Sequence, residues 1–368
     1  MTASLLPSGF HDRLPPFADA AAAIEGAVLG AARLYGYERA DPPLAEYFEG
    51  LAGRLKASSA RDAVRFVDPV SQRTLAIRPD ITAQIGRIAA SRMAHHPRPV
   101  RLSYAGPVLK LRAPELTPAR ELGQIGCELI GLDTVAAAQE VVSVAVEALR
   151  AAGVTDISID FTLPDLVEAL TAGPLAVKPE DAAALRDRLD AKDAGGVAAI
   201  APAYLPLVEA AGPFGQALKR LRVFDGGGLL STRLDGLQAV AAALPANVAL
   251  TLDPTERHGF EYQSWIGFSL FAGGAQIGRG GSYTIVHEGG AEEAAIGFSL
   301  FADAIAAILP GNTERRRLFV PFGADPALAV TKRAEGWVAV AALEAGDTPE
   351  AQLCTHILID GEVRPLGG

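Results

Sequence analysis

The stretch from Val100 to Gly131 constrains the fold most, because two runs of strand character flank a loop marked by Pro114 and Pro118. Proline cannot donate to a ladder, so it belongs between strands rather than inside a central one. The first limb carries Leu102, Tyr104, Val108 and Leu109, with the turn-prone pair Gly106-Pro107 expected to interrupt it. The second limb places Gln124 and Glu128 four residues apart across Gly126 and Cys127. Residues an even number apart share one face of a strand. An amide and a carboxylate on one face, walled by apolar neighbours, suit a small cationic ligand. They also suit a hydrogen-bonded polar pair closed inside a sheet.

Around this hairpin the pattern alternates between strand and helix. Leu6 to Pro16 reads as extended, held out of a helix by prolines on both sides. Phe17 to Leu34 predicts a helix with Ile24, Val28 and Leu29 on one side, ended by Gly36. Glu38 to Pro43 predicts a short strand and Leu44 to Gly53 a helix. Ala63–Pro69 and Gln72–Ile77 alternate like a hairpin bent at 67–71. Arg78-Pro79-Asp80 breaks the strand, and Asp80 or Thr82 can cap a helix from Ala83 to Ala94. Asp133 is expected to cap a helix from Thr134 to Ala152, and Thr155 to Thr162 to form a strand.

Residues 163–247 change character: alanine- and leucine-rich, broken by glycine and proline, they read as a helical insertion within a sheet. The sheet resumes at Val248–Asp253, Phe260–Phe271 and Ala275–Ile277. The heptapeptide Ile-Gly-Phe-Ser-Leu-Phe-Ala occurs twice, at 266–272 and 296–302. It is too short for a repeat architecture. The first copy is expected to stay a strand and the second to run into a helix. The tail predicts β-α-β-α-β over 318–321, 326–334, 337–341, 349–353 and 356–360. The domain expectation is a core over 1–312 and a truncated α/β unit over 313–368.

A net charge of −10 over 368 residues disfavours nucleic acid as a partner, since affinity for a polyanion comes from neutralising phosphates. The two cysteines, Cys127 and Cys354, form no C-x-x-C pair. They argue for a reducing compartment and against a cysteine zinc site. His95-His96 lack a partner at metal spacing, so no metal and no cofactor is expected. The start lacks the apolar core of a signal peptide, and no apolar run is long enough to span a bilayer. A cytoplasmic protein without membrane contact is the expectation. Gly226–Gly228 and Gly278–Gly281 lack the strand–loop–helix context of a phosphate loop.

Together these elements resemble the catalytic core of class II histidyl-tRNA synthetases over about residues 5 to 310. Leu6 to Asp12 is similar to that family's opening segment. Gly36-Tyr37 to Pro42-Pro43 resembles motif 1, which implies a homodimer interface. Ala76 to Thr82 resembles the family's L-R-P-E-x-T, and Gly106 to Gly126 resembles motif 2. Gly280-Gly281-Ser282-Tyr283 resembles G-G-R-Y, and Gly297-Phe298-Ser299 opens something like motif 3. The resemblance implies an α+β fold, an antiparallel sheet flanked by helices. It also implies a histidine pocket of Asp80 and Thr82 at the α-ammonium, Gln124 near the α-amino and carboxylate groups, and Glu128 at the imidazole, with Tyr262 and Tyr283 beside them.

The departures fall on the nucleotide side. Where motif 2 carries F-R-x-E, this chain has Lys110 and Arg112. Where motif 3 ends in G-x-E-R, it has Phe301 to Ala304, and Ser282 replaces the arginine of G-G-R-Y. Adenylate formation needs cations aimed at the transferring phosphates. A pocket that keeps the amino-acid groups and drops the ATP groups resembles the regulatory subunits of ATP phosphoribosyltransferase, a family of synthetase paralogues. That resemblance implies no catalytic residues, a short-form catalytic partner, and L-histidine as effector in histidine biosynthesis. A diverged histidyl-tRNA synthetase and a free-standing histidine-binding protein are the alternatives.

Overall fold

The alanine-rich run Phe17–Leu34 forms α1, whose buried face is Ile24, Val28 and Ala32. The computed structural model describes residues 6–52, 63–111, 119–257, 263–287, 290–309 and 316–366. The chain divides into two compact units, Met1–Leu309 and Pro310–Gly368.

In the first unit, β1 (Glu38–Arg39) is followed by β2 (Ala45–Tyr47) and α2 (Phe48–Ala52). The helix expected over 44–53 is thus split. β3 (Arg65–Val67) and β4 (Thr74–Ile77) make the expected hairpin, and β2 adds to it along β4, which draws Ala45–Tyr47 into a strand. Asp68 holds the bend by accepting from Val70 N at 3.2 Å and Ser71 N at 3.0 Å. α3 (Thr82–Ser91) follows.

β5 (Val100–Leu109) and β6 (Glu121–Ile130) pair antiparallel, Tyr104 opposite Gly126 and Leu102 opposite Glu128. β5 runs through Gly106-Pro107 without the expected interruption. β1 covers only Leu102 and Ser103 of its outer edge, so Pro107 sits where that edge carries no ladder. α4 (Val135–Ala151) is capped by Thr134, whose hydroxyl accepts from Ala137 N at 3.2 Å, and not by Asp133. Asp133 instead accepts from the indole N–H of Trp265 at 2.6 Å and from Ser264 at 3.2 Å. A half-buried indole needs an acceptor, and the aspartate serves that demand.

β7 (Ser158–Thr162) leads into the inserted helices, α5 (Leu166–Thr171), α6 (Pro179–Asp190), α7 (Ala194–Ile200), α8 (Leu205–Val208), α9 (Phe214–Phe224) and α10 (Ser231–Ala242). The two-residue β8 (Gly212–Pro213) interrupts them, and β9 (Ala249–Leu252) returns parallel to β7. β10 (Gln263–Ala272), β11 (Ala275–Val286) and β12 (Glu292–Phe301) complete the sheet, and α11 (Ala302–Ile308) follows. β11 extends far beyond the expected Ala275–Ile277 because it is paired on both sides. The order across nine strands is β1-β5-β6-β12-β11-β10-β7-β9-β8.

The two identical heptapeptides flank β11 in matching register. Gly267 and Gly297 both face Gly281, Phe268 and Phe298 both face Gly280, and Ser269 and Ser299 both face Arg279. They part at their ends: the first stays in β10, whereas Ala302 of the second opens α11. Gly280 and Gly281 therefore lie inside a strand. One sheet face packs a large core under α1, α4 and the insertion, with Ile125, Cys127, Leu129, Phe268 and Phe298. The other packs Tyr104, Ile81, Ile85 and Ile285 near α3. Gln124 and Glu128 of β6 point to this second face.

In the second unit, β13 (Arg317–Val320), α12 (Pro326–Ala334), β14 (Val338–Ala341), β15 (His356–Ile359) and β16 (Glu362–Pro365) form a sheet of order β14-β13-β15-β16. The helix expected over 349–353 is a series of turns, and β16 is an additional antiparallel strand. A small core of Leu318, Val320, Ala329 and Leu358 holds the unit. Among the described residues no helix is long and apolar enough to cross a membrane.

Candidate ligand-binding site

Five of the six expected pocket residues converge on the α3 face of the sheet. Tyr262 lies outside the described residues, as does Arg112. Glu128, in the middle of β6, is 1% exposed. Its Oε1 accepts from the Tyr104 hydroxyl at 3.1 Å and its Oε2 from the Tyr283 hydroxyl at 2.9 Å. Burial pushes its carboxyl up to about 8; the hydroxyls of Tyr283, Thr82 and Tyr104 pull down, and the Asp80 carboxyl pushes up. Burial likewise raises the Tyr104 phenol well above its ordinary range.

Backbone space sets the position of both groups. A Cβ on Gly297 would sit 1.8 Å from Glu128 Oε2, so the carboxyl lies flat on bare backbone of β12. A Cβ on Gly126 would sit 2.4 Å from the Tyr104 hydroxyl, so the phenol needs that gap in β6. Strand neighbours without side chains are what admit a carboxyl and a phenol between packed strands.

Gln124, also 1% exposed, links the carboxyl end to the start of α3. Its Oε1 accepts from Ile81 N at 3.0 Å, and its Nε2 donates to Ser299 Oγ at 2.8 Å and Asp80 Oδ2 at 3.2 Å. Asp80 Oδ1 accepts from Thr82 N at 2.7 Å, so Asp80 steadies the first turn of α3 while presenting a half-exposed carboxyl. Thr82 Oγ1 and Ser299 Oγ lie 3.0 and 2.9 Å from the Tyr104 hydroxyl. One hydrogen-bonded network thus joins Asp80, Gln124, Ser299, Thr82, Tyr104, Glu128 and Tyr283.

Sequence reasoning passed over Tyr104 and Ser299 as site residues. The signal for Tyr104 was its register opposite Gly126; that for Ser299 was its place two residues after Gly297. Arg78, in the resemblance to L-R-P-E-x-T, is 5% exposed and structural: it donates to Pro107 O at 2.9 Å and Pro42 O at 2.8 Å. Ser282 is buried on the opposite sheet face, bonded to Ser264 at 2.7 Å, so it takes no part in the pocket. Asp303 accepts from Gly123 N at 2.8 Å and Arg13 at 3.1 Å, which ties α11 to β6. Among the described residues no group of three or more His, Cys, Asp or Glu is placed to hold a metal ion.

A family model described as histidyl-tRNA synthetase matches residues 9–305. Two solved structures share the fold. A structure titled ATP phosphoribosyltransferase regulatory subunit/histidyl-tRNA synthetase, from Bacillus halodurans, superposes with a TM-score of 0.79 at 23% identity, covering 96% of each chain. A histidyl-tRNA synthetase from Nostoc gives 0.77 at 16% identity, covering 98% of this chain and 91% of that one. The chain is a member of the histidyl-tRNA synthetase-like class II family. Among curated relatives, proteins from Paramagnetospirillum magneticum and Rhodospirillum centenum are 41% and 38% identical. They cover 96% and 99% of this chain, and 96% of each relative is covered. Both are named ATP phosphoribosyltransferase regulatory subunit, and this chain belongs to that family.

Proposed function

We propose that the chain is the non-catalytic regulatory subunit of an ATP phosphoribosyltransferase. It works with a short-form catalytic subunit in the cytoplasm, in the first step of histidine biosynthesis, and passes feedback from histidine to that subunit. The names of its full-length relatives support the assembly. The observation that carries the effector reading is the single network joining Asp80 to Glu128. Asp80 and Thr82 take the α-ammonium, Gln124 lies between, and Glu128 and Tyr283 meet the imidazole. Tyr262 belongs to the same pocket by resemblance.

The nucleotide side supports a non-catalytic role. Ala304 stands where the family carries the motif 3 arginine, and Lys110 stands in motif 2. Differential affinity of histidine for two assembly states would bias the catalytic subunit, the general requirement for an effector. The motif 1-like segment, Gly36 to Pro43, supplies a homodimer contact, and the short second unit corresponds to a truncated anticodon-binding domain.

Calorimetry of the complex with histidine tests the pocket. Binding that Glu128→Ala abolishes is expected; binding untouched by that change would sink the assignment. Histidine-driven ATP–pyrophosphate exchange would decide for a synthetase instead. Failure to co-purify with a short phosphoribosyltransferase would decide for a free-standing binding protein.

A further inference from the structure

We infer that Gln84 couples the pocket to residues 42–47: it ties the helix turn that carries Asp80 and Thr82 to the chain entering β2, without being one of the ligand groups itself. This rests on the histidine reading above and concerns where a bound ligand is first felt in the fold.

The segment 78–84 serves two sets of partners. Asp80, Ile81 N and Thr82 belong to the pocket network. The donors at its two ends hold three consecutive carbonyls elsewhere. Arg78 Nη1 donates to Pro42 O at 2.8 Å, Gln84 Nε2 to Pro43 O at 2.8 Å, and Arg78 N to Leu44 O at 3.0 Å. About one turn further along α3, Arg87 Nε donates to Glu46 at 3.0 Å. Pro42 and Pro43 have no N–H and a fixed φ, so this stretch is stiff and is held through its carbonyls. A shift of the α3 turn is passed on to those carbonyls rather than absorbed by the chain between.

The two ends of α3 are held differently. Arg98 fixes the last turn: it donates to Ala89 O at 3.2 Å and Met93 O at 3.0 Å, and it pairs with Glu293 of β12. The first turn hangs on the pocket network through Ile81 N on Gln124 and Thr82 N on Asp80. An α-ammonium on Asp80 adds a third donor to a carboxyl that already receives Thr82 N and Gln124 Nε2. The load falls on the turn to which Gln84 belongs.

Arg78 and Gln84 differ in role. Arg78 also holds Pro107 O of β5 at 2.9 Å, so it fastens residue 42 to the main sheet whatever the helix does. Gln84 lies within α3, and among the described residues its side chain bonds only Pro43. Its Oε1 is buried with no hydrogen-bond partner, in a residue 1% exposed. An unpaired buried acceptor is destabilising, so packing alone would favour an apolar residue of the same shape. The bond to Pro43 is what accounts for the amide. Residues 36–43 are the homodimer contact proposed above, so that bond leads from the pocket to a subunit boundary.

The test follows backbone hydrogen exchange in the full chain assembled with its catalytic subunit. β2 is an edge strand paired only with β4, so the amides of residues 44–47 report its opening. Saturating histidine is expected to slow their exchange about five-fold or more, the low end of ordinary coupling between sites. Gln84→Met keeps the shape and removes the donor. It is expected to lose most of that protection while its calorimetric dissociation constant for histidine stays within about three-fold of wild type. A merely structural glutamine would change exchange with and without histidine alike. An unchanged ratio between the two states in the variant would therefore overturn the inference. So would wild-type protection confined to 80–91 and 121–130 with residues 44–47 unmoved, a result that needs no variant and leaves the pocket standing. No heat from histidine in the wild type would sink the pocket reading itself, and this inference with it.

Discussion

Glu128→Gln should change how stability depends on pH in the ligand-free chain. The folded chain holds this carboxyl at about 8, against an ordinary value of 4.5. Because the folded value lies above the unfolded one, the folded state binds a proton that the unfolded state has released throughout that window. Stability therefore falls as pH rises from about 4.5 to about 8 and is flat on either side. The slope approaches 1.4 kcal/mol per unit, and the full shift costs on the order of 5 kcal/mol. Glutamine keeps the shape and has no such slope. The two proteins carry the same remaining titratable groups, so those contributions cancel in the difference. Urea unfolding at several values between pH 5 and 8.5, followed by Trp265 fluorescence in a Trp337→Phe background, measures the first unit, which contains Trp265. The variant should gain about 3.5 kcal/mol relative to wild type between pH 5 and pH 8. A stability gap that does not vary with pH would refute the claim that burial pushes this carboxyl up.

Two further substitutions probe the backbone around the site and one the support behind it. Gly297→Ala puts a Cβ 1.8 Å from Glu128 Oε2, so histidine affinity should drop at least about ten-fold with about 1–3 kcal/mol of lost stability; an unchanged dissociation constant by calorimetry would contradict the carboxyl's placement. Gly86→Ala, within α3, meets only Ile285 at 3.5 Å, and should raise the urea-derived stability by about 0.5–1 kcal/mol through helix propensity. Arg78→Met leaves the carbonyls of Pro42 and Pro107 without their guanidinium donors and should cost about 2–4 kcal/mol by the same assay; a cost under about 0.5 kcal/mol would show that water replaces it.

Much of the fold was legible because its periodicities are strong. α1 begins and ends where the alanine run and Gly36 indicate, and the β5–β6 hairpin follows its flanking prolines. The misreadings share one cause. Leu44–Gly53 looks helical in isolation, yet β4 offers an unpaired edge that takes Ala45–Tyr47 as a strand. Asp133 has the residue type of a cap, yet the Trp265 indole, distant in sequence, claims it and leaves capping to Thr134. Pro107 looks like a break, yet it lies on an edge with no ladder to interrupt. Each local preference is worth about 1 kcal/mol or less, and a tertiary partner outweighs it.

The sequence by itself determined the family, the strand bearing Gln124 and Glu128, and the fact that these two share a face, since alternation along a strand is a covalent consequence. Only the tertiary structure decided what that face meets. It brought Asp80 from the start of α3, Tyr283 from β11 and Ser299 from β12 to one carboxyl, and it placed Gly297 where no side chain could intrude. It also decided how that carboxyl titrates. A glutamate in a sequence is an anion by default; removed from water and set near a second carboxyl, Glu128 is pushed up to about 8 against the pull of the surrounding hydroxyls.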